Sequence, residues 1–327
     1  MEELKTCIME NRKISPNSLN MYLKNLNKLA RDVTGKSWTN TKFLKKYDDI
    51  IKHLEQKSLS TRKNYVAAIL VGLSPKGRGL YDKGYSKAGK LYTDYLTTQA
   101  KEYENKIIEQ KKSDKQEGKW VSKKELDRVR NNYANEIRKL GYTQKSTEYT
   151  KGMKKKHQEL IQKYLVASLY LLHPPRRNSY ANMKIIGNND FIHLSNEEKD
   201  KGNYLVVVSR NNKFFSFGDY KTRKKYGVQK IKVDKALNSV LNLWLNFNDT
   251  ENLLLDSRGN RMTTNGLTKF LYKVFEPTGK KISSTMIRHI ILSDKYGDES
   301  GYKEKLDTAT KMGHSVEEQQ KTYVKKD

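Results

Sequence analysis

Residues 306–327 read LDTATKMGHSVEEQQKTYVKKD. Leu306, Ala309 and Met312 recur at the three-residue spacing of a helix face. Gly313 is a natural left-handed stop for that helix. Ser315 can cap the next one, with Glu318 completing a capping box. His314 is therefore pinned in a tight kink between two helices. Tyr323 lies about two and a half turns further down the second helix. A Gly-His turn before a helical tyrosine also arises by chance, so the reading needs support from elsewhere in the chain.

Upstream, residues 285–292 read TMIRHIIL. Met286 pairs with Ile290 and Ile287 with Ile291, so Arg288 sits on an apolar helix and is expected to be at least half-buried. A buried cation needs an anionic partner, either an internal carboxylate or a ligand. Residues 157–172 are apolar nearly all round in their second half, which predicts a buried helix stopped by Pro174-Pro175. Arg176 and Arg177 follow at once, as a basic turn or as part of a site. Three short strands are predicted at 204–209, 214–218 and 228–233, forming an antiparallel meander. The tip between the last two, YKTRKKYG at 220–227, carries Lys221, Arg223, Lys224 and Lys225. A helix with Leu237, Leu241 and Trp244 comes next. Three more are expected near 264–275, 283–296 and 302–312.

The N-terminal part reads as helical throughout. Ser15-Pro16 opens a helix with Leu19, Leu23, Leu26 and Leu29 on one face. Others are expected at 48–56, from a Ser60 cap through Gly72, and across Leu91 to Gln110, with a loop at 74–79. Arg62 and Lys63 on the second of these are candidate DNA contacts, with Arg223, Lys224 and Lys225 on the hairpin tip. Residues 111–119 are charged and lack periodicity, so they read as a linker. Trp120 starts the next segment, where Ser122 and Glu125 fit a capping box. The expectation is a helical domain at 1–112, a linker at 113–119 and a second domain at 120–327. The fold class is mainly α with a small antiparallel β-sheet, α+β.

The charge points to the partner. The chain has 327 residues, with 65 Lys and Arg against 37 Asp and Glu, a net charge of +28. Residues 1–117 carry 24 basic and 14 acidic side chains, so the excess spreads over both parts. An ordinary metabolic enzyme is nearly excluded, and a polyanion gripped from two sides is expected. The single cysteine, Cys7, excludes a disulfide scaffold and a cysteine-based zinc site. No histidine pair has metal-ligand spacing. Gly35-Lys36-Ser37 fails as a P-loop because Ala30 stands at the first glycine position. No apolar run reaches membrane-span length and the N-terminus lacks a signal-peptide pattern, so an intracellular protein is expected. The 51 lysines against 14 arginines, with abundant Asn, Ile and Tyr, also suggest an A/T-rich genome.

Taken together, these pieces resemble the tyrosine recombinases, the phage-integrase superfamily. That family orders its residues Arg, Lys, His-x-x-Arg, His and Tyr, with the lysine on a β-hairpin. Arg176 stands for the first arginine, Lys221 for the lysine, Arg288 for the second arginine with His289 after it, Met312–Ser315 for a Leu-Gly-His-Ser box and Tyr323 for the nucleophile. The resemblance covers roughly 120–327 as ordered motifs, and 15–110 only as a helical core-binding domain. Thr285 departs from the pattern, replacing the histidine of His-x-x-Arg. Arg177 competes with Arg176, and Lys224 with Lys221.

The resemblance implies site-specific recombination of double-stranded DNA. Tyr323 would displace a 5′-hydroxyl and hold a 3′-phosphotyrosine, with Arg176, Arg288 and His314 on the phosphate and Lys221 protonating the leaving oxygen. It implies no metal, no ATP and no other cofactor, and self-association on DNA as a dimer or tetramer. The rivals are a type IB topoisomerase and a DNA-binding protein with a degenerate site, for which Thr285 speaks. The A/T-rich bias and the Pro-Pro-Arg-Arg run resemble integrases of large DNA viruses or mobile elements, placing the protein at a nucleoid, host nucleus or viral factory.

Overall fold

Capping side chains set the helix limits along much of the chain. In the computed structural model, which describes residues 2–38, 41–73, 84–108, 111–143, 149–296 and 302–325, Ser15 accepts the Ser18 N–H, Pro16 opens a helix and Gly35 closes it at φ 71°. The chain divides into two units, Met1–Glu109 and Gln110–Asp327. The first contains α1 (Glu2–Asn11), α2 (Pro16–Thr34), α3 (Tyr47–Glu55), α4 (Leu59–Leu73) and α5 (Ser86–Ile108). Its core draws Leu26 and Leu29 from α2, Ile50 and Leu54 from α3, Ile69 from α4 and Tyr92 from α5. The Tyr92 hydroxyl donates to the Leu44 carbonyl at 3.0 Å. Helix α4 starts at Leu59, two residues before a cap at Ser60 would start it, because the Ser58 carbonyl already accepts the Arg62 N–H at 2.9 Å. The expected loop at 74–79 lies outside the described residues.

The second unit begins with a correction to the sequence reading. Residues 111–119 are not a featureless linker: Ser113 and Gln116 form a capping box that starts the one-turn α6 (Asp114–Glu117). Polar caps do this without any apolar periodicity. Helix α7 (Lys123–Lys139) starts on the Ser122–Glu125 capping box. Helix α8 (Lys151–Leu171) buries Ile161, Leu165, Val166, Leu169 and Tyr170. It packs against α7, α12 (Lys235–Phe247) and α13 (Thr264–Val274). Trp244 of α12 is fully buried, with its indole N–H on the Leu253 carbonyl at 2.8 Å.

The fold is mainly α with one small sheet, and that sheet is mixed. Strands β2 (Asn203–Ser209), β3 (Asn212–Phe217) and β4 (Gln229–Lys232) form the meander. A fourth strand, β1 (Lys184–Gly187), pairs parallel to β2, Lys184 opposite Tyr204. Three half-buried residues and the exposed Gly187 show no alternation, which is why the sequence did not reveal it. The short helices α9 (Asn188–His193) and α10 (Asn196–Lys201) return the chain from β1 to β2. The tip after β3 is wound into a one-turn helix, α11 (Arg223–Tyr226). At the β2–β3 turn Lys213 is 1% exposed, its ammonium surrounded by the carbonyls of Ser209 and Arg210 and the side-chain oxygens of Asn238 and Asn242.

Helices α14 (Ser284–Tyr296) and α15 (Tyr302–Met312) lead to the C-terminal segment. The single helix expected from Val316 is instead a short α16 (Val316–Glu318) followed by a π turn, Gln319–Tyr323. The Val324 N–H reaches five residues back, to the Gln319 carbonyl, at 3.0 Å. Ser315 caps the Glu318 N–H, but the glutamate does not reciprocate, so the capping box is half-made. Among the described residues no helix is long and apolar enough to cross a membrane.

Candidate functional site

The last carbonyls of a helix have no partner within it. At the end of α15 its last three carbonyls, and that of Gly313 just after it, are taken by side chains. Thr310 O accepts from Gln229 Nε2 at 2.9 Å, Lys311 O from Arg176 Nη1 at 2.7 Å, Met312 O from Arg288 Nη1 at 3.2 Å and Gly313 O from Thr222 Oγ1 at 2.5 Å. This helix end is the platform on which the site is assembled. Residues from β4, from the turn after α8, from α14 and from the β3–β4 connection all converge on it. Gly313 turns the chain at φ 72°, and a Cβ there would stand 3.1 Å from Arg176 Nη2 and 3.4 Å from the Tyr220 ring. Only glycine combines that backbone with that proximity.

Arg176 and Arg288 are each 1% exposed. Arg176 also donates to Gln229 Oε1 at 2.6 Å and lies over the rings of Phe217 and Tyr220 at 4.0 and 4.8 Å. Arg288 also donates to the Pro175 carbonyl at 3.0 Å and lies 4.4 Å over the Tyr323 ring. Burial lowers the pKa of both guanidinium groups, Arg176 to about 10. Among the described residues neither has a carboxylate partner, so the internal salt bridge that the sequence left open for Arg288 is not there. Each keeps a buried Nε with no partner.

Tyr323 is 3% exposed. Its ring stacks on His314 at 5.2 Å and leans on His289 at 5.1 Å. Arg177, not Arg176, donates to its hydroxyl, from Nη2 at 2.9 Å. His314 directs Nδ1 at the Ser315 carbonyl, 3.0 Å away, and its buried Nε2 has no partner. Burial, with Arg288 beside it, pushes the His314 pKa down to about 4. In that neutral form Nε2 presents a lone pair; it becomes a donor when a neighbouring anion raises the pKa again.

Other candidates fall around this cluster or away from it. Lys221 is exposed, next to the Thr222 that ties the hairpin tip to Gly313. Lys224 and Lys225 are exposed on α11, and Arg223 pairs with Asp200. Thr285 is exposed on α14. His289 is buried and bonds the Tyr323 carbonyl, not the open side of the cluster. In the first unit Arg62 spends its donors on the Lys57 and Glu55 carbonyls and Gln99, and Lys63 lies 4.0 Å over the Tyr103 ring. Gln229, Thr222 and Gln116 were not anticipated. Gln229 left one faint signal, a polar residue at an inward position of a strand whose next inward residue is Ile231. The described residues hold no group of acidic, histidine or cysteine side chains able to bind a metal ion.

No protein-family model matches this chain, and no curated protein matches it. Among solved structures, one titled crystal structure of XerA recombinase aligns over 98% of this chain and 92% of its own, at 12% sequence identity and a TM-score of 0.38.

Proposed function

We propose that the second unit cleaves and rejoins DNA strands through Tyr323, as a tyrosine recombinase does. One observation carries the reading. Two arginines buried to 1% are held on the adjacent carbonyls of Lys311 and Met312, Arg288 lying over the Tyr323 ring, with unpartnered Nε groups and, among the described residues, no carboxylate counterion. Buried cations without a counterion are costly unless a ligand anion completes them. A phosphodiester fits, because guanidinium groups match its oxygens and stay charged.

In this reading the Tyr323 oxygen attacks phosphorus and the bond to the 5′ oxygen breaks. Arg176 and Arg288 hold the non-bridging oxygens through their free edges as charge gathers there. The charge of the phosphate raises the pKa of His314, so that Nε2 takes up the proton that the Tyr323 phenol releases and then donates to the same oxygens. Arg177 stabilises the phenoxide as it forms. Lys221, on the exposed tip, protonates the leaving 5′ oxygen. The phosphotyrosine retains the bond energy, so religation needs no ATP. The net charge of +28 and exposed Lys224 and Lys225 suit a double-stranded DNA partner.

The test is a nicked suicide duplex that loses its 5′-hydroxyl strand. In EDTA the wild-type protein should give a denaturant-resistant adduct, with the phosphodiester on Tyr323 among the 21 tyrosines. Tyr323→Phe, which keeps the ring packing, should bind the duplex and give none. An adduct formed equally by the phenylalanine variant refutes the assignment.

A further inference from the structure

The main chain of Tyr323 is held from outside its own helix. Its carbonyl accepts from His289 Nδ1 at 3.1 Å and from Ser293 Oγ at 3.4 Å, two residues one turn apart on α14. The Lys325 N–H returns to Ser293 Oγ at 2.7 Å. The other nitrogen of His289, Nε2, meets Gln116 Nε2 at 3.2 Å. Gln116 sits on α6, a few residues after the boundary between the units. Its own oxygen is occupied by the Ser113 N–H at 2.9 Å and the Ser113 hydroxyl at 3.0 Å. The amide is thereby oriented with its NH2 towards the histidine.

An amide nitrogen only donates. His289 Nε2 must therefore accept, which leaves its proton on Nδ1, the atom facing the Tyr323 carbonyl. Burial keeps the imidazole neutral, its pKa pushed down to about 4. The charged groups facing it, Arg288 on its own helix and Lys325 on the C-terminal segment, act in the same direction. The relay runs from the Ser113 cap through Gln116 and His289 to the backbone of the tyrosine.

We infer that Gln116 is a positioning residue for Tyr323: by fixing the Nδ1–H tautomer of His289 it holds the tyrosine main chain where the phenol can reach phosphorus, so that α6, near the start of the second unit, is part of the cleavage apparatus. The inference rests on Tyr323 being the nucleophile. Neither residue touches the phosphate in this account; both act through the tyrosine backbone.

Gln116→Glu in the full chain tests the inference. A carboxylate accepts where the amide donated. At high pH it draws the imidazole proton to Nε2 and leaves an Nδ1 lone pair against the Tyr323 carbonyl. At low pH the carboxylate raises the His289 pKa and favours the doubly protonated ring, which keeps Nδ1–H. Single-turnover adduct formation by Gln116→Glu should therefore be near wild type at about pH 5.5 and fall about tenfold towards pH 8.5, a limb the wild type lacks. Gln116→Leu should be about tenfold slow throughout, with DNA affinity unchanged. Imidazole nitrogen shifts should show His289 protonated on Nδ1 in the wild type. A wild type that forms the adduct while Gln116→Glu follows the same pH profile overturns the inference alone, as does an Nε2–H tautomer. A wild type that forms no adduct on Tyr323 overturns the site reading as well.

Discussion

Three buried histidines should make the second unit sensitive to mild acid. His173, His289 and His314 are 5%, 8% and 4% exposed. Burial, the largest cause in each case, lowers all three from an ordinary 6.5 to about 4. The folded state thus refuses protons that the unfolded chain accepts between those values, so stability is full above pH 6.5 and is lost as pH falls towards 4. Each depression corresponds to about 3 kcal/mol, and the three together to about 10 kcal/mol. Midway through the window the slope approaches about 4 kcal/mol per pH unit. A whole domain has only about 5–15 kcal/mol, so the unit should unfold near the lower end. Urea unfolding followed by the fluorescence of Trp120 and Trp244 in a Trp38→Phe background reports this unit without the first. The midpoint should drop steeply between pH 6.5 and 4.5 at constant m-value. His314→Gln should remove about a third of the drop. A midpoint that stays level down to pH 4.5 would refute the account of these histidines as buried and neutral.

Two further outcomes are expected. Arg177→Ala should slow adduct formation by about 10–100-fold, as loss of a charge-assisted hydrogen bond to the phenol oxygen would, with little change in DNA affinity; an unchanged rate would make Arg177 a surface cation. Lys213 is lowered from 10.5 to about 8 by burial, so the unfolded chain binds its proton more readily and stability should rise from about pH 8 to 10.5; the rise should be absent in Lys213→Met, which strands four oxygens and should cost about 3 kcal/mol at neutral pH.

What the sequence disclosed follows from the range of the interactions involved. Caps, the Pro-Pro stop, the Gly313 turn and the apolar faces of α8 and α12 are local, set by residues three or four apart, and they can be read in one dimension. The Arg288 helix told more: an arginine among Met286, Ile287, Ile290 and Ile291 signals burial before any partner is known. Which groups meet that arginine depends on residues 113 and 24 positions away. Pro175 O and Met312 O were invisible for that reason, since a backbone acceptor leaves no trace in composition. The choice between Arg176 and Arg177 was open for the same reason. Adjacent residues point apart, so one went into the platform and the other to the Tyr323 hydroxyl. The π turn was also hidden, because α14 takes the Tyr323 carbonyl and lends Ser293 to the Lys325 N–H. β1 escaped because four residues cannot show a period.

The use of carbonyls in place of carboxylates has a consequence for how the site meets an anion. A carboxylate beside Arg176 or Arg288 would cancel a full charge and repel an entering phosphate. The end of α15 carries only about half a negative charge, shared over its last carbonyls. Lys311 O and Met312 O therefore hold the two guanidinium groups in place while leaving most of their charge unspent. The same economy appears at the aromatic faces of Phe217, Tyr220 and Tyr323, which hold cations through quadrupoles without neutralising them. The empty-handed Nε groups and His314 Nε2 then mark where the remaining attraction is directed. A cluster held this way is less stable alone than one closed by acids, and under the proposed function it would gain most when a phosphate arrives. That difference between the two states is what a site needs if binding energy is to appear where charge develops.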